Sequence, residues 1–114
     1  MAAGVALQTA GRWHEARGHF RAWVEDDPAA RAAWYQLGRI DVVSGAPTDE
    51  GERAFRTFLA LPPAPGQPEP KHGWFRLGQW LAARGRKDEA RDAFGQALRL
   101  DPAFEDAAEA RDAL

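Results

Sequence analysis

Apolar residues in the stretch 71–102 recur with two helical periods in succession. Trp74, Leu77, Gly78 and Leu81 fall three, four and seven residues apart, along one face of an α-helix. Gly85 then supplies a stop, because glycine readily takes the left-handed backbone conformation that closes many helices. A second apolar face follows in Ala90, Phe94, Ala97 and Leu98, and Asp101-Pro102 ends the unit. Small positions (Gly78, Ala90, Ala97) alternate with large ones (Trp74, Phe94), so two antiparallel helices can approach closely and interlock.

The pattern occurs earlier in the chain as well. Gly4, Gly38 and Gly78 are separated by 34 and 40 residues, and so are Gly11, Gly45 and Gly85. Phe20, Phe55 and Phe94 are separated by 35 and 39, and Pro28, Pro63 and Pro102 move with them. A period of 34, with one residue inserted between Gly45 and Phe55 and about five after Pro63, accounts for all four columns. The chain then divides into a partial first unit (1–28), a second (29–63), a proline-rich insert (64–70), a third (71–102) and a last helix (103–114). Helices are expected over about 2–10, 13–26, 29–44 and 48–61, followed by the pair within the third unit. In the last helix Phe104, Ala107, Ala108 and Leu114 should point inward, with Glu105, Asp106, Glu109 and Asp112 outward, as a terminal cap requires.

Trp74-x2-Leu77-Gly78, Ala90-x3-Phe94-x2-Ala97 and the terminal Pro102 resemble a tetratricopeptide repeat in type and spacing. The resemblance implies an all-α, right-handed α-solenoid of about two and a half repeats with a C-terminal capping helix. It further implies a concave groove, lined by the first helix of each repeat, that takes an extended peptide or a partner helix. Carried over by spacing, the groove positions are Val5, Gln8 and Thr9, then Tyr35, Gln36, Arg39 and Val42, then His72, Phe75, Arg76 and Gln79. Two aromatics beside two arginines suit an apolar side chain next to an acidic or C-terminal carboxylate, which Arg can grip with a bidentate fork. One subgroup of the family clamps chaperone tails with paired Lys and Asn. This chain has no Asn, Met1 and Val5 stand at the first clamp positions, and only His72 and Arg76 match the far end, so that clamp is not expected.

The second unit departs from the pattern twice. Asp41 stands where an apolar or aromatic residue is usual, and Gly51 replaces the small alanine. Weaker packing is expected there, with Asp41 paired to a nearby arginine. Of the tryptophans, Trp13, Trp23, Trp34 and Trp74 fit core positions, whereas Trp80 has Ala6 and Ile40 as counterparts and is expected to plug the junction with the next helix. The segment PPAPGQPEP (62–70) cannot propagate a helix, because each proline fixes φ and removes a donor; an extended inter-repeat loop is expected.

Composition narrows the function. The chain has 114 residues, 45% hydrophobic and 28% charged, with a net charge of −2. That suits one globular domain and argues against nucleic acid, which wants a basic excess. No apolar run approaches the roughly 20 residues of a membrane span, and the start lacks the features of a secretory signal. With no cysteine there is no disulfide framework and no thiolate site, and the cytoplasm is the simpler expected compartment. His14 and His19 are five apart and form no i, i+4 metal pair, and the single Ser44 has no histidine nearby in sequence. No catalytic residue, metal or cofactor is expected, and a non-catalytic protein-binding scaffold is the reading. The incomplete first unit leaves Val5 and Leu7 with little to cover them, so a homodimer through the N-terminal helices is the alternative.

Overall fold

A computed structural model describes residues 12–114. Six helices follow one another: α1 (Trp13–Asp26), α2 (Arg31–Ser44), α3 (Asp49–Ala60), α4 (Pro70–Ala83), α5 (Lys87–Leu100) and α6 (Glu105–Asp112). Consecutive helices pack on one another, and α2 also touches α4. The first helices of the second and third repeats are therefore neighbours. The helix expected over 2–10, and with it Val5, Leu7, Gln8 and Thr9, lies outside the described residues.

Each helix buries the stripe its periodicity marks. In α1 the buried residues are Ala16, Phe20 and Val24, one turn apart. One cluster joins these to Ala30, Ala33, Leu37, Ile40 and Ala54; a second gathers Phe55, Leu77, Trp80, Leu81, Ala90, Ala93 and Phe94. Neighbouring residues of α3, Ala54 and Phe55, thus feed different clusters, and α3 ties the repeats together. Within each pair the glycine of the first helix admits the phenylalanine of the second: a Cβ on Gly38 would meet the Phe55 ring at 2.7 Å, and one on Gly78 would meet Phe94 at 2.5 Å.

Turns repeat too. Asp27 accepts the Ala29 N–H at 3.2 Å, and Asp101 accepts that of Ala103 at 3.1 Å, so the same Asp-Pro turn closes the first and third repeats. After α4, Gly85 takes φ +75° while its N–H bonds Ala82 O at 3.0 Å and that of Arg86 bonds Leu81 O at 2.9 Å. These two bonds satisfy carbonyls that the helix end would orphan.

The proline-rich stretch is the expected loop, with one boundary shifted: Pro70 is the first residue of α4, where a missing N–H costs nothing. Within the loop, Gln67 N–H donates to Ala64 O at 3.3 Å around Pro65 and Gly66 (φ +75°), a tight turn rather than a continuous extended run. The loop is fastened to α2. Arg31 is only 3% exposed; it lies 4.2 Å over the Phe58 ring and donates to Pro68 O at 3.2 Å. Its Nε and Nη2 have no partner, and burial lowers its pKa. The third-repeat counterpart, Lys71, has Asp101 at 2.9 Å. In the second repeat Pro62 stands where Asp101 would be, so Arg31 has no such carboxylate.

The tryptophans sort differently from the expectation. Trp13, Trp23, Trp34 and Trp74 pack against the clusters from the margin and keep part of their surface exposed. Trp80 is fully buried: it shares a cluster with Ala90, Ala93 and Phe94 of α5, and its Nε1 donates back to Asp41 and Thr48 of the preceding repeat.

Candidate peptide-binding groove

The groove positions on the described helices form one strip. Tyr35, Gln36, Arg39 and Val42 lie on α2, and His72, Phe75, Arg76 and Gln79 on α4; all eight are half-buried. The two helices touch, and Tyr35 and Val42 of α2 pack against the same cluster as Phe75 of α4. Its aromatic members are partly spent on the interior. The Tyr35 ring packs on Phe58 at 5.3 Å and edge-on to Phe55 at 6.4 Å. Phe75 packs on Phe94 at 5.9 Å and on Phe104 at 5.2 Å, while His72 meets Phe104 edge-on at 5.6 Å. Phe104, just ahead of α6, closes that end of the strip, and Val42 leans on the second cluster.

Arg76 has different surroundings. Its guanidinium donates to Gln79 Oε1 at 3.1 Å and lies 5.7 Å from the Phe75 ring centre. Among the described residues it has no ion pair. Elsewhere arginines are matched to acids: Arg21 grips Glu50 with two bonds of 2.9 Å, and Arg86 grips Glu52 at 3.0 and 3.1 Å. The Arg86 pair lowers the pKa of Glu52, and the Arg21 pair lowers that of Glu50. The Arg21 pair links α1 to α3, and the Arg86 pair links α3 to the residue just ahead of α5.

Asp41 departs furthest from what its sequence context suggests. The expected arginine pairing is present: Arg17 Nη2 donates to Oδ1 at 2.9 Å. Asp41 is nevertheless only 1% exposed, and Oδ2 accepts three further bonds: from Thr48 N at 2.6 Å, Thr48 Oγ1 at 2.9 Å and Trp80 Nε1 at 3.1 Å. Four donors from three repeats converge on one carboxylate. The departure at Gly51 makes this possible, since a Cβ there would stand 1.9 Å from Oδ2. The expectation of weaker packing is therefore corrected: Asp41 fills the space that an alanine would take. The signal in the sequence was that both departures fall in one repeat.

Among the described residues no group of three potential ligands is placed to hold a metal, and no helix is long and apolar enough to cross a membrane. Antiparallel helix pairs repeating along the chain and stacked through shared clusters define a helical-repeat protein. Models of the tetratricopeptide repeat match residues 1–47 and 72–104. The chain belongs to the tetratricopeptide-repeat family. The unmatched stretch between them carries Gly51 and the proline-rich loop. No curated protein matches the chain. Repeats of this family generally mediate protein–protein interaction.

Proposed function

We propose that this chain is a non-catalytic scaffold that holds a peptide or partner helix along the α2–α4 strip, working in the cytoplasm. The observation that carries the reading is Arg76, a half-buried cation with no ion pair among the described residues, facing along a strip whose neighbours are aromatic. A carboxylate beside an apolar side chain would complete it, with Arg39 on the adjacent helix. Replacing both Arg39 and Arg76 with alanine should leave helical circular dichroism unchanged and weaken binding of a peptide ending in a free carboxylate. Truncating one member of a buried charged contact costs about 2–5 kcal/mol, and less at a rim. Unchanged affinity in that variant refutes the groove. The second reading, self-association through Val5 and Leu7, rests on residues outside the described part. Sedimentation of the wild type and of Leu7→Lys decides it, and a wild type that stays monomeric at high concentration removes it.

A further inference from the structure

The repeats show what binds at the outer face of each second helix. Arg17 on α1 and Glu52 on α3 occupy equivalent positions, 35 residues apart like Phe20 and Phe55. Each meets an opposite charge from the following repeat: Arg17 meets Asp41 at 2.9 Å and Glu50 at 3.6 Å, and Glu52 meets Arg86 at 3.0 Å. The third-repeat counterpart, 74 residues beyond Arg17, is Arg91 on α5. It bonds only Asp88 of its own helix at 3.0 Å, in a pair whose members are 49% and 100% exposed. An exposed pair of this kind holds its arginine weakly.

Two more arginines face the same place. Arg99 lies two turns along the ridge from Arg91, and Arg111 comes across from α6. The three line a cavity of about 610 Å³ together with Asp92, Gly95 and Gln96. Among the described residues neither the Arg99 nor the Arg111 side chain has a hydrogen-bond or ion-pair partner. Leu100, one turn beyond Gln96 and so on the same helix face, is an exposed apolar side chain (56%). Since α6 stands where a fourth repeat's first helix would stand, the cavity between α5 and α6 lies where its second helix would pack.

We infer that this angle between α5 and α6 is a docking site for an amphipathic helix of another protein, one carrying carboxylates opposite Arg91, Arg99 and Arg111 and an apolar residue against Leu100. The ion pairs between the inner repeats set the chemistry: the cation at this position on α1 takes carboxylates from the next repeat, Asp41 of its first helix at 2.9 Å and Glu50 of its second at 3.6 Å. Nucleic acid is disfavoured, because α6 presents Glu105, Asp106, Glu109 and Asp112 beside the three arginines and would repel a long polyanion. The site is separate from the α2–α4 strip and does not depend on it.

The test uses a fluorescent, lactam-bridged helical peptide of about 16 residues, with glutamates at i, i+4 and leucines at i, i+3, i+7, and a twin in which lysine replaces every glutamate. Anisotropy should show the glutamate peptide binding the wild type and the lysine twin failing. Arg99→Glu with Arg111→Glu should weaken the glutamate peptide at least about tenfold, as expected of complementary charge, and should bind the lysine twin. The double variant Arg99→Gln, Arg111→Gln, with no new charge, covers the case in which reversal disturbs folding. Arg39→Ala with Arg76→Ala should leave this binding intact, which separates it from the groove. The inference is overturned if the two peptides bind alike, if the groove variant alone abolishes binding, or if the charge reversals instead dissolve a concentration-dependent dimer of the chain.

Discussion

Replacing Gly51 with alanine probes the buried carboxylate without touching it. Gly51 lies inside α3, where alanine ordinarily stabilises by up to about 1 kcal/mol. Here the new Cβ would stand 1.9 Å from Oδ2 and 2.4 Å from Cγ of Asp41. The side chain has nowhere near to go: it is short, 1% exposed, and held by Thr48, Trp80 and Arg17. If it swings away, Arg17 keeps only Glu50, at 3.6 Å, and Trp80 Nε1 keeps only Thr48 O at 3.1 Å. Separating a buried charge from its partner costs about 3–5 kcal/mol, so the net loss after the helical gain is about 2–4 kcal/mol. Against a total of about 5–15 kcal/mol this is a large share, and it should lower the melting temperature by about 10 °C.

Urea denaturation with a check on the slope gives the free energy, and Gly18→Ala is the internal control. Gly18 is also inside a helix, but a Cβ there meets nothing within 4 Å, so alanine should stabilise. A double-mutant cycle with Asp41→Ala sharpens the test. With the carboxylate gone, Gly51→Ala should become neutral or favourable, so the coupling should be at least as large as the loss of about 2–4 kcal/mol. If Gly51→Ala stabilises as Gly18→Ala does, or if its cost simply adds to that of Asp41→Ala, the packing argument is wrong.

Trp80→Ala should cost about 3–5 kcal/mol, as for a fully buried aromatic, and Trp74→Ala distinctly less because that ring is only half-buried; paired thermal melts check the order. The pKa of Glu52 is lowered by its bonds to Arg86, so its folded value lies below its unfolded one. Its contribution to stability is fully present above the ordinary glutamate value of about 4.3 and disappears as pH falls through the folded value. Glu52→Gln should therefore be less stable at neutral pH and show a shallower loss in an acid titration followed by circular dichroism. Arg31→Met removes a buried cation with two unmatched donors and keeps most of the packing on Phe58. Its stability should be equal or higher, because apolar replacements of buried charges are often neutral or stabilising; a melting temperature lower by more than a few degrees would show that the hold on the loop matters more.

Periodicity made the helices legible. The span 13–26 is α1 to the residue, and the bounds of α3 differ from the expected 48–61 by one residue at each end. The reason is physical: apolar spacing reports which face of a helix is buried, and that is enough to place helices. It does not report which atoms meet across the interface. Asp41 and Gly51 are ten residues apart, and Asp41 and Trp80 thirty-nine, yet they meet at one carboxylate. Taken singly, each looked like a local weakness or an oddity. Repeat spacing put the candidate groove residues on α2 and α4, but the partial burial of Tyr35 and Phe75 against Phe58 and Phe104 was not legible, since it depends on how far α3 and the turn before α6 lean inward.

The second repeat's departures come in linked sets. Where a carboxylate enters the interior at Asp41, the position opposite gives up its side chain and a tryptophan from the next repeat turns its N–H toward it. Where Pro62 takes the place of the acid seen at Asp101, the cation at Arg31 is kept and the proline-rich loop supplies a carbonyl in its stead. In both cases a charged group of the second repeat bonds to its loop or its neighbours, fully for Asp41 and through Nη1 alone for Arg31. An isolated second repeat would leave Asp41 without Arg17 and Trp80, and a buried charge short of its donors is costly. The second repeat is therefore the unit least able to stand alone, and the stack's cooperativity should centre on it. In native-state hydrogen exchange, α2 and α3 should open only together with α1 and α4; independent opening of the second repeat would break this account.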